Sequence, residues 1–140
     1  MPEAEKELRV MAFDYGTRRI GVAVGNTLTR SGQPIHTINE NRNDALFGLI
    51  ERLIKEWQPD RLVVGLPCHP DGTQHEMTVK AKRFGNQLNG RFHLPVDWVD
   101  ERYTSAVLEG NLEMRDNLDA QSAALILEQY FHEKNWNKLI

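Results

Sequence analysis

The sequence predicts an α/β fold: a five-stranded mixed sheet, with three antiparallel strands first and βα units after them, flanked by helices. Three observations carry this. Two apolar runs, Leu8–Asp14 and Ile20–Gly25, are joined by the short polar turn Tyr15-Gly16-Thr17-Arg18-Arg19 and read as an antiparallel pair. Arg61–Leu66 is a short, continuously apolar run, the pattern of a strand buried on both faces. From residue 43 onward, helical periodicities alternate with strand-like runs, which places helices on the faces of the sheet.

Taken in order, residues 1–7 are charged and are expected to form a frayed leader with no signal peptide. After the first two strands, Pro34–Ile38 reads as a third, weaker strand, and Pro34 places it at an edge or near its own start. Asn41-Arg42-Asn43-Asp44 offers helix caps. Leu46, Leu49, Ile50, Leu53, Ile54 and Trp57 then repeat at helical spacing up to Pro59. Pro67 stops the buried strand, and a loop through Cys68, His69 and Asp71 leads to Thr73-Gln74-His75-Glu76, a capping box. Met77, Ala81, Phe84 and Leu88 form the stripe of a second helix that Gly90 is expected to stop. Pro95–Val99 is the fifth strand. Thr104 or Ser105 caps a further helix to about Met114, and Asn117 or Asp119 opens the last one, with Ala123, Ile126, Leu127, Tyr130 and Phe131 on its apolar side.

Composition bounds the function. The chain has 140 residues, 40% hydrophobic and 26% charged, which suits a single domain over residues 1–140. No apolar run approaches the roughly 20 residues needed to cross a bilayer. One cysteine, Cys68, leaves no internal disulfide, so a cytoplasmic location is the expectation. A formal charge of −3 does not exclude nucleic acid, which needs only a local basic face.

The chemistry lies in the carboxylates. Asp14 ends an apolar strand, Glu101 follows the last strand, and Asp119 is expected in the first turn of the last helix. A carboxylate among apolar neighbours is costly unless it is paired or binds a metal. If the first and last strands end at one edge of the sheet, Asp14 and Glu101 converge, and a helix beside that edge adds Asp119. Such a cluster calls for a cation, and Mg²⁺ takes oxygen ligands while keeping several waters. Metal ions held this way stabilise the attacking and leaving oxygens in phosphodiester hydrolysis. Each acid also has a plainer role: Asp119 at a helix N-terminus, Glu101 paired with Arg102, Asp14 capping its turn.

Four motifs in order resemble one family. Phe13-Asp14-Tyr15-Gly16-Thr17-Arg18-Arg19-Ile20-Gly21-Val22-Ala23 is similar to the opening motif of the YqgF/RuvX family. Val64-Gly65-Leu66-Pro67 with Asp71-Gly72-Thr73, Asp100-Glu101-Arg102 with Thr104-Ser105, and Asp119-Ala120-Gln121-Ser122-Ala123-Ala124 resemble the other three. The likeness runs from about residue 8 to 133 and implies an RNase H-like fold. It implies a nuclease dependent on Mg²⁺ or Mn²⁺, with Asp14, Glu101 and Asp119 as catalytic metal ligands. The implied substrate is structured nucleic acid, either the 5′ end of a pre-16S rRNA precursor or, alternatively, a Holliday junction. Association with the ribosome, and a monomer or weak homodimer away from any membrane, complete the expectation. The sequence departs from the family in its short segment between Arg102 and Leu118, where Arg115 is the one basic residue.

Other residues are weighed against plainer roles. Arg18, Arg19 and Arg102 are the candidate nucleic-acid contacts, although hairpin tips are often charged for solubility alone. Lys80, Lys82, Arg83 and Arg91 extend a basic face or simply solvate a helix. His69 and His75 lie near the expected site edge, and Cys68 lacks the partners of a nucleophile. Trp57, Trp98 and Trp136 are too scattered to form a stacking platform. Two rivals of other classes remain: a phosphotransferase, because Asp-x-Gly-Thr also occurs in the actin and sugar-kinase group, and a non-catalytic RNA- or ribosome-associated module. The kinase group needs a second comparable domain, for which 140 residues leave no room.

Overall fold

The computed structural model describes residues 7–16, 18–40, 42–67, 76–100 and 115–134. Within them the strands are β1 (Arg9–Tyr15), β2 (Ile20–Asn26), β3 (Gln33–Ile38), β4 (Arg61–Leu66) and β5 (Val96–Asp100). The helices are α1 (Asn43–Trp57), α2 (Glu76–Phe92) and α3 (Arg115–Lys134). The strands form one five-stranded sheet in the order β3-β2-β1-β4-β5. β1 pairs antiparallel with β2 and β2 with β3, while β1–β4 and β4–β5 are parallel. This is the predicted mixed sheet, with each strand within a residue or so of its expected place. Residues 1–6 of the expected leader 1–7, and the expected helix from Thr104 or Ser105 to about Met114, lie outside the described residues.

The alternation along β1 sorts the core onto two sides of the sheet. Met11 and Phe13 join Ile20, Val22, Leu62 and Val64 under α1 and α2, which contribute Leu46, Phe47, Ile50, Ala81, Phe84 and Leu88. Val10 and Ala12 face the other way, with Val63 and Val99, onto Ile126, Leu127, Tyr130 and Phe131 of α3. β4 lies between β1 and β5 and buries residues on both faces, as its apolar run requires.

β3 is an edge strand, and its pairing with β2 shifts register between Val22 and Ala23, opposite His36 and Pro34. The proline has no N–H to give to a ladder, so an irregular edge is where it is tolerated.

Helix ends depart from expectation. Arg42 caps α1 with no side-chain hydrogen bond. Asn43 and Asp44 already lie inside the helix. At the other end Gln58 adopts a left-handed conformation (φ 49°) and returns its N–H to the Ile54 carbonyl at 2.7 Å, before Pro59. α2 does not stop at Gly90. It runs to Phe92, which packs against the core, and His93 takes the left-handed position (φ 57°) with its N–H on the Asn89 carbonyl. Burying Phe92 outweighs the helix penalty of glycine, which is only about 1 kcal/mol. α3 starts at Arg115, so Asp119 is its fifth residue and lies beyond the first turn where it was expected.

One polar cluster ties α3 to the sheet. Arg61 Nε and Nη2 donate to Asp97 Oδ2 at 3.1 and 3.0 Å, and the Tyr130 hydroxyl donates to the same oxygen at 2.6 Å. Burial, then the Asp97 hydrogen bond, hold the Tyr130 hydroxyl protonated well above the ordinary tyrosine value of 10.0. Because the folded-state value is raised, its contribution is complete below pH 10 and is lost as the pH climbs toward the folded value. Tyr130→Phe is expected to lower unfolding free energy by roughly 1.5–3 kcal/mol at neutral pH. The gap from wild type should narrow above pH 10 in urea titrations, and a gap unchanged with pH would contradict this assignment.

Candidate metal and nucleic-acid site

Asp14 is the last residue but one of β1 and stands directly opposite Gly21 of β2. Opposed residues in an antiparallel pair project to the same face. For Asp14 that is the face of Val10 and Ala12, the side covered by α3.

Gly21 shows how close α3 comes. A Cβ placed on it would lie 1.8 Å from the backbone oxygen of Asp119 and 2.1 Å from its carbonyl carbon. Only glycine fits between this strand and this helix. The contact continues along β2. A Cβ on Gly25 would meet Leu127 at 3.1 Å and Phe131 at 3.2 Å, and Ala23 packs with Ala123 and Ala124. Gly21, Ala23 and Gly25 form a stripe of small residues at strand spacing that seats α3. The sequence reading missed this stripe, although it is visible in Gly21-Val22-Ala23-Val24-Gly25.

The consequence is chemical. Asp119 is carried to the strand position that faces Asp14, so two of the three predicted acids share one side of the sheet. Among the described residues, Asp119 Oδ2 is buried and accepts no hydrogen bond. The Arg19 Nε lies 3.1 Å from it, an ion pair whose N–H is not directed at the oxygen. Arg19 therefore balances the charge, while no donor among the described residues uses the oxygen's lone pairs. Its side chain is 44% exposed, so the pair is only partly shielded from water and is weak as a stabilising contact.

Arg18 is exposed on the same turn. β1, β4 and β5 run parallel and end at Tyr15, Leu66 and Asp100, which places their C-terminal ends on one edge of the sheet. Gln129 of α3 donates to the Asp100 carbonyl at 3.5 Å, so the helix also reaches that end of β5. Glu101, Arg102, Cys68, His69 and His75 lie outside the described residues. Among the described residues no group of three His, Cys, Asp or Glu side chains could hold a metal ion. Gly65 and Leu66 are the last two residues of β4, and Pro67 follows them. Trp57 and Trp98 are both packed against the core.

The order β3-β2-β1-β4-β5, with α1 and α2 on one face and α3 on the other, defines an RNase H-like α/β domain. A solved structure of T. thermophilus RuvC in complex with a Holliday junction substrate has the same fold, with a TM-score of 0.58 at 16% identity over 91% of this chain and 96% of that one. The chain belongs to the family described as "RuvX: Holliday junction resolvase", whose profile matches residues 8–133. A relative from Polynucleobacter necessarius is 68% identical over 93% of this chain and 88% of its own length. One from Paraburkholderia xenovorans is 55% identical over 91% and 90%. Both carry the name "Putative pre-16S rRNA nuclease". No helix among the described residues is long and apolar enough to cross a membrane.

The glycine contact makes a direct prediction. Gly21→Ala is expected to destabilise the protein by about 3 kcal/mol, the upper end for overpacking, because backbone rather than a yielding side chain occupies the space. Gly48 in α1 has nothing within 4 Å of its added Cβ, so Gly48→Ala should stabilise by about 0.5–1 kcal/mol. Thermal and urea melts of the two variants check this, and similar melting points would refute it.

Proposed function

We propose that this protein is a divalent-metal-dependent nuclease that hydrolyses phosphodiester bonds of structured nucleic acid, with the 5′ end of pre-16S rRNA as its substrate. The observation that supports this most is the seating of Asp119 over Gly21, opposite Asp14, with Asp119 Oδ2 buried and without a hydrogen bond among the described residues. A buried carboxylate oxygen with no donor is costly, and a bound cation relieves that cost. The donors are hard oxygens, which suit Mg²⁺ or Mn²⁺ rather than a softer metal. Glu101 is the third acid of this reading. In the sequence it directly follows Asp100, the last residue of β5.

On this reading Asp14, Asp119 and Glu101 hold the ion. When bound, the ion supplies Lewis-acid stabilisation and lowers the pKa of an attacking water. The rest falls to the chain. Rigid strand and helix backbone fixes the spacing of the acids. Arg19 offsets the charge of Asp119, and Arg18, exposed on the same turn, meets the phosphate backbone together with Arg102. The names of the relatives support the ribosomal precursor as substrate, and the family description supports a four-way DNA junction as the second reading. Work on an rRNA precursor places the protein in the cytoplasm.

The test incubates purified protein and Mn²⁺ with labelled pre-16S rRNA and, separately, with a four-way DNA junction. Cleavage of the RNA near its mature 5′ end is expected, with loss on chelation. Asp14→Asn and Asp119→Asn should each slow it on the order of 10²–10³-fold, the range for removing an electrostatic group at a reacting centre. Preferential cleavage of the junction would move the substrate assignment to DNA. Undiminished cleavage by Asp14→Asn would remove the acids from the chemistry. Metal-independent RNA binding with no cleavage would identify a binding module instead.

A further inference from the structure

Tyr15 follows Asp14 and therefore turns to the opposite face of the sheet, where its ring lies 4.8 Å from that of Phe84 in α2. Beside it opens a cleft of about 340 Å³ lined by Tyr15, Asn43, Lys80, Arg83, Phe84 and Gln87. The α2 contribution at residues 80, 83, 84 and 87 is one helix face. Among the described residues no carboxylate lines the cleft.

The structure separates the four basic residues of α2. The Arg91 guanidinium sits 4.1 Å over the ring of Phe47 and is used in packing. Lys82 is exposed and lines no part of the cleft. Lys80 lies 3.4 Å from Glu76, but both side chains are exposed and such a pair is readily exchanged for another anion. Arg83 makes no ion pair or hydrogen bond among the described residues. The cleft thus combines two available cations with the neutral hydrogen-bonding groups of Tyr15, Asn43 and Gln87. One face of the Tyr15 ring is already occupied by Phe84, so charge rather than stacking is what the cleft offers.

We infer that this cleft binds a backbone phosphate of the nucleic-acid strand, at a point away from the bond that is cut. Tyr15 ends β1 at the edge where Asp14 lies, so a strand passing over that edge leaves the acids on one face and reaches Lys80 and Arg83 on the other. The substrate class rests on the nuclease reading, whereas the site rests on the cleft itself.

The experiment measures binding with cleavage blocked, using Asp14→Asn protein in EDTA and a labelled RNA duplex with single-stranded flanks, across a salt series. Adding Arg83→Gln is expected to weaken binding several-fold at ~0.1 M salt and to reduce the slope of log K against log salt by roughly 0.7–0.9. Lys82→Gln removes the same charge from the same helix outside the cleft and should leave the slope as it was. Equal losses from the two variants would overturn the site in favour of diffuse helix charge, and no loss from Arg83→Gln would overturn it outright. Inorganic phosphate titrated into ¹⁵N-labelled protein should move amide resonances around residues 80–87. Shifts confined to the Asp14 face would count against the cleft. These readouts need no turnover, so absence of cleavage with Arg83 dependence retained would defeat the nuclease reading and leave the cleft standing.

Discussion

The structure depends on one close approach of backbone to backbone. α3 can lie against β2 only because Gly21 presents no side chain to the carbonyl of Asp119. Packed interiors resist even small added volumes, so this contact fixes both the height of the helix over the sheet and its position along the strand. The wider seat, Ala23 against Ala123 and Ala124 and Gly25 against Leu127 and Phe131, keeps the helix parallel to that setting. At its far half, the hydrogen bond of Tyr130 to Asp97 holds the same helix to β5. Asp119 is thereby placed by packing along most of the length of α3 rather than by its own interactions.

The alternation of β1 does the complementary work. One residue apart, Asp14 and Tyr15 open onto different sides of the same sheet, one toward α3 and the other toward α2. A register slip of one residue would exchange them and bury a carboxylate beside Phe84. The apolar residues before them prevent that slip, because Met11 and Phe13 are as fully buried under α1 and α2 as Val10 and Ala12 are under α3. The core that stabilises the fold is therefore also what aims the acid.

Most of the architecture was legible because it rests on periodicity. The apolar run of β4, the helical spacing in α1 and α3, and the edge-seeking proline of β3 each report burial directly. Helix ends were not, because capping residues are weak local preferences and packing a turn away overrides them. Arg42 caps α1 beside better candidates, and Phe92 draws α2 through Gly90. The same uncertainty misplaced Asp119: with α3 beginning at Arg115 it lies a full turn inside the helix, where complementing the N-terminal dipole no longer accounts for it. That Asp14 and Asp119 face one side of the sheet is a tertiary fact. The stripe Gly21-Ala23-Gly25 was its only trace in the sequence, and such a stripe says that something approaches closely without saying what.

A chain of net charge −3 that handles a polyanion must solve an electrostatic problem locally. Acids gathered to hold a cation repel phosphate whenever the cation is absent. Here Asp14 and Asp119 lie on the α3 side of the sheet edge, and positive groups stand on other elements. Arg19, from the β1–β2 turn, lies 3.1 Å from Asp119, and Lys80 and Arg83 stand on α2 across the sheet. Field falls off over a Debye length of about 8–10 Å at ordinary salt. Arg19 stands well within that range of Asp119. Separation by sheet face keeps the carboxylates Asp14 and Asp119 apart from the cations Lys80 and Arg83 at one edge of the sheet.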